Sequence, residues 1–329
     1  MANTTGCHET AGQQPVVFIH DAAIDDFVAA LLLQAMPGVD LQGVVIANAD
    51  CVPGPGMDVA SQVNQFMGRP DLPLGLSSAR GWNAFPWEYR EDCIALAAIP
   101  SLAPFKSTVP DEPPSGDALL IQLLEAAVAA SRPLTVLLTT GSTPLTQVID
   151  ARPDLAAGVG KVVWMGGALN VPGNLDPGTI GKEVANAHAE WNVFWDPFAA
   201  DSMLARFGGV AVFPLDISDN EPISAEFMAQ LEAQGAQHSF SQFAWEAYGL
   251  TASQPYYRMW DVTTAVWLGA PQLYAAPQRT ALQVQQWGFE QGWMTAAPGS
   301  ERPEQDVYLS MADQTGFYDY VAEQLARSA

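Results

Sequence analysis

A chain of 329 residues, 49% of them apolar, holds enough hydrophobic material for a sizeable buried core, as one large α/β domain or two smaller ones. Its 36 acids against 13 Lys plus Arg leave a formal charge of -23, which argues against nucleic acid or anionic membrane as a partner, since both repel an acidic surface. Cys7, Cys51 and Cys93 match no zinc spacing, and their odd number speaks against a disulfide framework, so a reducing compartment is favoured.

Residues 1–14 are polar, lack the basic start and apolar centre of a signal peptide, and read as a disordered tail before a single domain over 15–329. No apolar run approaches the roughly 18 residues of a membrane span, and a cytoplasmic location is the expectation. Residues 16–19 read as a short buried strand followed by an Ala- and Leu-rich helix from about 27, with a cap at Asp25 or Asp26. A second strand is expected over 41–47, a helix over 57–67, and a third strand over 72–76. Residues 77–115, rich in Pro and aromatics without a sustained period, read as a long functional loop.

Regularity returns with a helix over 117–130, a strand over 134–139, a turn at 140–144 opening another helix, and a strand over 161–165. Gly166-Gly167 then starts a Gly-, Pro- and Asn-rich loop to Ala189. Asp196-Pro197 starts a helix to 206, residues 210–217 read as a strand, and helices fill 224–250. A helix over 262–267, strands near 282–286 and 307–309, and a terminal helix over about 317–327 complete the chain. This rhythm predicts an α/β fold, one doubly wound, mainly parallel sheet flanked by helices, with ligands outside the carboxyl ends of the strands. Asp21 and Asp50 both fall at such ends.

The densest chemistry is His20-Asp21-Ala22-Ala23-Ile24-Asp25-Asp26, where three carboxylates crowd behind a buried strand. Like charges in that setting resist desolvation and are readily explained by a compensating cation, a hard metal above all. Downstream stand Val163-Trp164-Met165-Gly166-Gly167-Ala168, then Gly173-Asn174, then Ala189-Glu190-Trp191-Asn192-Val193-Phe194-Trp195-Asp196-Pro197.

Taken in order, these motifs resemble the nucleoside hydrolases, the inosine-uridine preferring superfamily, whose first signature is Asp-x-Asp-x-x-x-Asp-Asp. Asp21, Asp25 and Asp26 fall on its last three acids, while Ile19 replaces the first. The resemblance implies a Rossmann-like fold, a homodimer, and an active-site calcium bound through oxygen by Asp21, Asp26, Asp261 and the carbonyl of Thr140, with Thr139 or Ser142 as alternatives for the last. It makes Asp21 the base that activates water, and Asp25, Met165, Asn174, Glu190 and Asn192 the ribose contacts.

One branch of the family carries His before the last calcium-binding Asp. This chain has Trp260 there, and resembles the purine-specific inosine-adenosine-guanosine branch. That branch implies Trp260 and Tyr89 sandwiching the base, with Trp87 as a substitute for Tyr89, and Asp50 at the base edge. The expected activity is therefore hydrolysis of a small-molecule purine nucleoside to free base and ribose. Rival readings are a broad or pyrimidine-preferring hydrolase, a catalytically weak nucleoside-binding relative that has lost the acid at Ile19, and a magnesium-dependent phosphohydrolase; the last is disfavoured by the absence of a Gly-Lys phosphate loop.

Overall fold

The computed structural model describes residues 12–87, 89–175 and 186–327. Nine strands form one sheet in the order β3-β2-β1-β4-β5-β6-β9-β7-β8. The strands are β1 (Gln14–His20), β2 (Val39–Ile46), β3 (Leu74–Leu76), β4 (Leu134–Leu138), β5 (Val159–Met165), β6 (Ala211–Phe213), β7 (Gln278–Val284), β8 (Met294–Ala296) and β9 (Glu304–Val307). Neighbours from β3 through β6 to β9 run parallel, whereas β7 is antiparallel to both β9 and β8. The mainly parallel α/β sheet flanked by helices is thus present as expected.

Alternation along β1 explains the layers. Val16 and Phe18 face one apolar cluster with helix Ile24–Ala35, while Val17 and Ile19 face a second with helix Gly116–Ala130. Ile24 through Leu33 are all buried, which suits an Ala- and Leu-rich helix with almost no polar face. Ile19, where the family signature has an acid, is wholly buried in the second apolar cluster.

The order of strands reverses between β1 and β4, because the chain runs outward to β3 before returning to pair β4 on the other side of β1. Loops leaving β1 and β4 therefore diverge and open a crevice at their carboxyl ends. Asp21 follows β1, Asp50 lies beyond β2, Thr139 follows β4 and Met165 closes β5, so the site grows along one edge of the sheet.

Several boundaries differ from the expectations. The strand expected over 210–217 stops at Phe213, because Pro214 has no N–H for the ladder and instead opens the short helix Leu215–Ser218. Helix Pro53–Phe66 begins four residues before the expected 57, with Pro at its first position. The long loop over 77–115 contains helix Asp92–Leu96 and a 3-10 turn Pro100–Leu102, pinned by the fully buried Leu96 and Leu102. Strand β8 had no periodic signal, since three residues are too few to show one. Gln14 already belongs to β1, which trims the expected tail; residues 1–11, with Cys7, lie outside the described residues, as do Glu88, part of the loop after Gly166 and the last two residues of the expected domain. No helix among the described residues is long and apolar enough to cross a membrane.

Gly75 in β3 and Gly116 at the start of its helix bring two backbones together, and a Cβ on Gly75 would stand 2.7 Å from both Gly116 Cα and Gly116 N. Backbone cannot swing aside as a side chain can. Gly75→Ala should therefore cost about 1–3 kcal/mol, read as a lower urea midpoint. Gly249→Ala, which meets nothing within 4 Å, should shift it far less.

Candidate active site

The turn after β1 sets the geometry. Ala22 takes a left-handed φ of 69°, a conformation that costs a non-glycine residue roughly 1–2 kcal/mol. Two local bonds hold it: Ala22 N–H donates to His20 Nδ1 at 3.2 Å, and Ala23 N–H donates to Asp26 Oδ2 at 3.0 Å. Such local strain at a cluster of acids is characteristic of functional sites. His20 is otherwise packed between Phe18 and Phe27, in keeping with a structural part. Its Nδ1 lies 3.5 Å from Asp26 Oδ2 but accepts the Ala22 N–H, so that nitrogen has no proton to offer the carboxylate.

Asp21, Asp26 and Asp261 converge from opposite ends of the chain. Burial, then Asp26, then Asp50 push the Asp21 pKa well above the usual carboxylate range. Burial, then Asp26, Asp25 and Asp21, do the same to Asp261. Asp21 and Asp261 line a cavity of about 560 Å³, and Asp26 lies wholly buried beside them, its Oδ1 receiving the Thr139 hydroxyl at 2.5 Å. Thr139 lines the cavity too. Thr140 is buried behind it; its carbonyl receives Trp164 Nε1 at 3.1 Å, which leaves one lone pair, and its hydroxyl opposes the Asp21 shift without forming a hydrogen bond of full geometry. Ser142 Oγ is likewise buried without a partner.

Among the described residues, no group of three or more His, Cys, Asp or Glu side chains forms a metal cage by itself. The donor set nevertheless fits a hard divalent cation in its chemistry. It consists of oxygens alone, its carboxylates have no Lys or Arg ion pair among the described residues, and the Thr140 hydroxyl stands beside Asp21.

Asp25 has a different place from the expected one. It does not line the cavity; Oδ1 receives the Tyr248 hydroxyl at 2.5 Å, and Oδ2 receives Asp261 N–H at 2.6 Å and Val262 N–H at 3.0 Å. Burial raises its pKa to about 7 against the pull of those three donors. Its role in this arrangement is to hold the amino end of helix Trp260–Val266, and thereby to present Asp261.

Four further expected residues line the cavity: Met165, Asn174, Glu190 and Asn192. Glu190 caps helix Trp191–Trp195, Oε1 receiving Asn192 N–H at 2.8 Å and Oε2 receiving Gly167 N–H at 2.9 Å. Burial lifts its pKa to about 7 although those amides oppose the shift. Asn192 Nδ2 donates to the Met165 carbonyl at 3.2 Å and approaches its sulfur at 3.3 Å, while Asn174 Oδ1 receives Trp191 N–H at 3.1 Å. Gly173 permits that approach, since a Cβ there would fall 2.0 Å from the Ala189 carbonyl oxygen.

Aromatic side chains complete the lining. Tyr89 lines the cavity and meets Trp191 edge-on at 5.9 Å, whereas Trp87 is 64% exposed and is not among the residues lining this cavity. Trp260 is half-buried, tilted against Tyr257 at 5.0 Å, with its Nε1 on Asp219 Oδ1 at 3.1 Å. Asp50 keeps Oδ1 buried without a partner; burial, Asp92 and Asp26 raise its pKa well above normal, and Arg90 opposes. Sequence reasoning missed Phe85, Asp92, Asp219 and the 254–258 stretch as lining residues. Only the Tyr256-Tyr257-Arg258 run, an aromatic pair with a cation next to Trp260-Asp261, carried a signal that could have found them.

A model of the family described as inosine-uridine preferring nucleoside hydrolase matches residues 16–319. Pyrimidine-specific ribonucleoside hydrolase RihA of Citrobacter koseri is 25% identical over 334 residues, which span 95% of this chain and 98% of that protein. The crystal structure of an inosine-uridine preferring nucleoside hydrolase from Bacillus anthracis superposes with a TM-score of 0.84 at 25% identity, covering 96% of this chain and 100% of that one. The purine-preferring ribonucleoside hydrolase from Gardnerella vaginalis shares the fold at a TM-score of 0.75 and 18% identity, over 96% of this chain and 100% of that one.

Crowded buried carboxylates should make a cation stabilising. Chelator-stripped protein should melt at a higher temperature when calcium is added, by the equivalent of about 2.7 kcal/mol at a hundredfold excess over Kd. Asp26→Asn and Asp261→Asn should each shrink that rise, and a melting curve indifferent to calcium would count against the site.

Proposed function

Since the chain belongs to the inosine-uridine preferring nucleoside hydrolase family, we propose that it is a calcium-dependent N-ribohydrolase that cleaves purine nucleosides to free base and ribose. The observation that carries this reading is the meeting of Asp21, Asp26 and Asp261 beside a cavity that Asn174, Glu190 and Asn192 also line. Asp21, Asp26, Asp261 and a carbonyl of the 139–142 segment would hold calcium, whose charge fixes sugar hydroxyls and eases loss of a proton from water.

Asp21 is the base. Its carboxylate takes the proton of the attacking water while the water oxygen bonds to the anomeric carbon, and the C–N electron pair leaves with the base. Positive charge builds on the ribose as that bond breaks, and Glu190 with the remaining carboxylates stabilises it. Asn192 spends its amide donors on Met165 and keeps Oδ1 for a hydroxyl, while Asn174 spends Oδ1 on Trp191 and keeps its donors. Together they orient the sugar for attack from one side.

Purine preference is supported by the aromatic faces of Trp260 and Tyr89 in the cavity lining, by Trp260 in place of histidine, and by Asp50, a lining residue with an oxygen that has no hydrogen-bond partner among the described residues. A second reading, pyrimidine preference, is favoured by the likeness to the Citrobacter koseri enzyme, whose name says pyrimidine-specific.

Ribose release across inosine, adenosine, guanosine, uridine and cytidine tests both. The expected pattern is faster turnover of purine nucleosides, abolished by a chelator and restored by calcium. Uridine outpacing inosine would transfer the conclusion to the second reading, and no ribose from any nucleoside would leave a binding protein. Asp21→Ala should lower kcat by roughly 10²- to 10⁴-fold, the usual worth of a positioned base; full activity in that variant would remove Asp21 from the chemistry.

A further inference from the structure

We propose that Arg258 makes this cavity selective for nucleosides whose base presents a carbonyl oxygen at purine position 6 or pyrimidine position 4, over those presenting an amino group there. The proposal rests on the nucleosidase reading above and holds for either size of base.

Arg258 is the single cation among the described residues that line the cavity, where Asp21, Asp50, Asp92, Glu190, Asp219 and Asp261 supply carboxylates. It is nonetheless paired with none of them. Nε donates to the Asp219 carbonyl at 3.1 Å, and Nη1 donates to the carbonyls of Pro255 at 2.7 Å and Tyr257 at 3.0 Å. The carboxylate of Asp219, whose carbonyl Arg258 meets, receives Trp260 Nε1 instead.

Three backbone carbonyls therefore fix the guanidinium in place and leave Nη2, with two N–H groups, without a partner among the described residues. Its backbone is fixed as well: Arg258 bridges Pro222, and the next residue, Met259, donates its N–H to the Glu221 carbonyl at 3.0 Å. Arg258 lines the cavity two residues before Trp260, the residue read above as a wall for the base.

A guanidinium in a protein stays charged and only donates. Facing a carbonyl oxygen it completes a charge-assisted bond; facing an exocyclic amine it sets N–H against N–H and leaves both unpaired. Hypoxanthine, guanine and uracil present the oxygen, adenine and cytosine the amine. Cleavage adds weight to the difference. As the C–N bond breaks, its electron pair enters the departing ring and part of that negative charge reaches the carbonyl oxygen, so the bond to Arg258 strengthens towards the transition state. The preference should accordingly appear in kcat as well as KM.

The test compares kcat/KM for inosine with adenosine, and for uridine with cytidine, in the calcium-loaded protein and in Arg258→Met and Arg258→Lys, with nucleoside affinities measured by calorimetry on the same preparations. The native protein should favour the oxo member of each hydrolysed pair by about ten- to a hundredfold, the worth of a good charge-assisted contact to a base edge. Arg258→Met should bring that ratio near one, while Arg258→Lys, still a donor-only cation, should keep its direction. A ratio taken on one preparation does not move when part of the protein is unfolded. Turnover with an oxo-to-amino ratio near one in the native protein, or a ratio unmoved by Arg258→Met, overturns the proposal and leaves the nucleosidase reading standing. Oxo-selective binding lost in Arg258→Met, without turnover of any nucleoside, upholds it and overturns that reading. Neither turnover nor oxo-selective binding overturns both.

Discussion

Mutual repulsion among buried carboxylates that have no Lys or Arg ion pair among the described residues is the constraint on which the rest of this structure depends. Asp21 and Asp261 are driven towards protonation by burial and by their neighbours, and Asp26 is buried between the turn after β1 and Thr139. A protein selected for stability alone would replace such a cluster with apolar residues of similar volume. The cluster lies at the carboxyl ends of parallel strands, against a cavity, where a bound cation would relieve the repulsion. The left-handed turn at Ala22 belongs to the same compromise, because it is what aims Asp21 and Asp26 together.

Around that cluster, the acids divide their labour by what their oxygens touch. Asp25 has both oxygens engaged by protein donors and acts as a brace between helix Ile24–Ala35 and helix Trp260–Val266. Glu190 braces helix Trp191–Trp195 and yet faces the cavity. Asp50 lines the cavity close to Asp21 and keeps an oxygen without a hydrogen-bond partner among the described residues. A carboxylate away from the cavity with both oxygens engaged, as in Asp25, is a positioning group, whereas one that lines the cavity, as Glu190 and Asp50 do, can also meet a ligand.

The cavity lining mixes two kinds of group. Asp21, Glu190, Asp261, Asn174 and Asn192 offer oxygens and amides suited to a hydroxylated ring, and Tyr89, Trp260 and Tyr257 offer flat apolar faces, with Arg258 a donor tied down by backbone carbonyls. A nucleoside has the two matching parts, a hydroxylated ring joined to a flat heterocycle, and the family to which the chain belongs acts on such molecules.

Local pattern was enough for what depends on local pattern. The buried strand before Asp21, the βαβ rhythm, the Asp196-Pro197 helix start and the ordered acid and Asn motifs were all legible, because periodicity, capping and spacing are properties of neighbouring residues. Tertiary structure decided what depends on distant groups. It turned Asp25 away from the cavity by bringing Tyr248 and the helix at Trp260 against it, put Tyr89 rather than Trp87 on the wall, and engaged the Thr140 carbonyl with Trp164. It also brought Asp92 and Asp219 into a cavity that their own neighbourhoods do not announce. A side chain's residue type states what it can bond to; only the fold, by closing loops across the reversal between β1 and β4, decides which of those bonds are already taken.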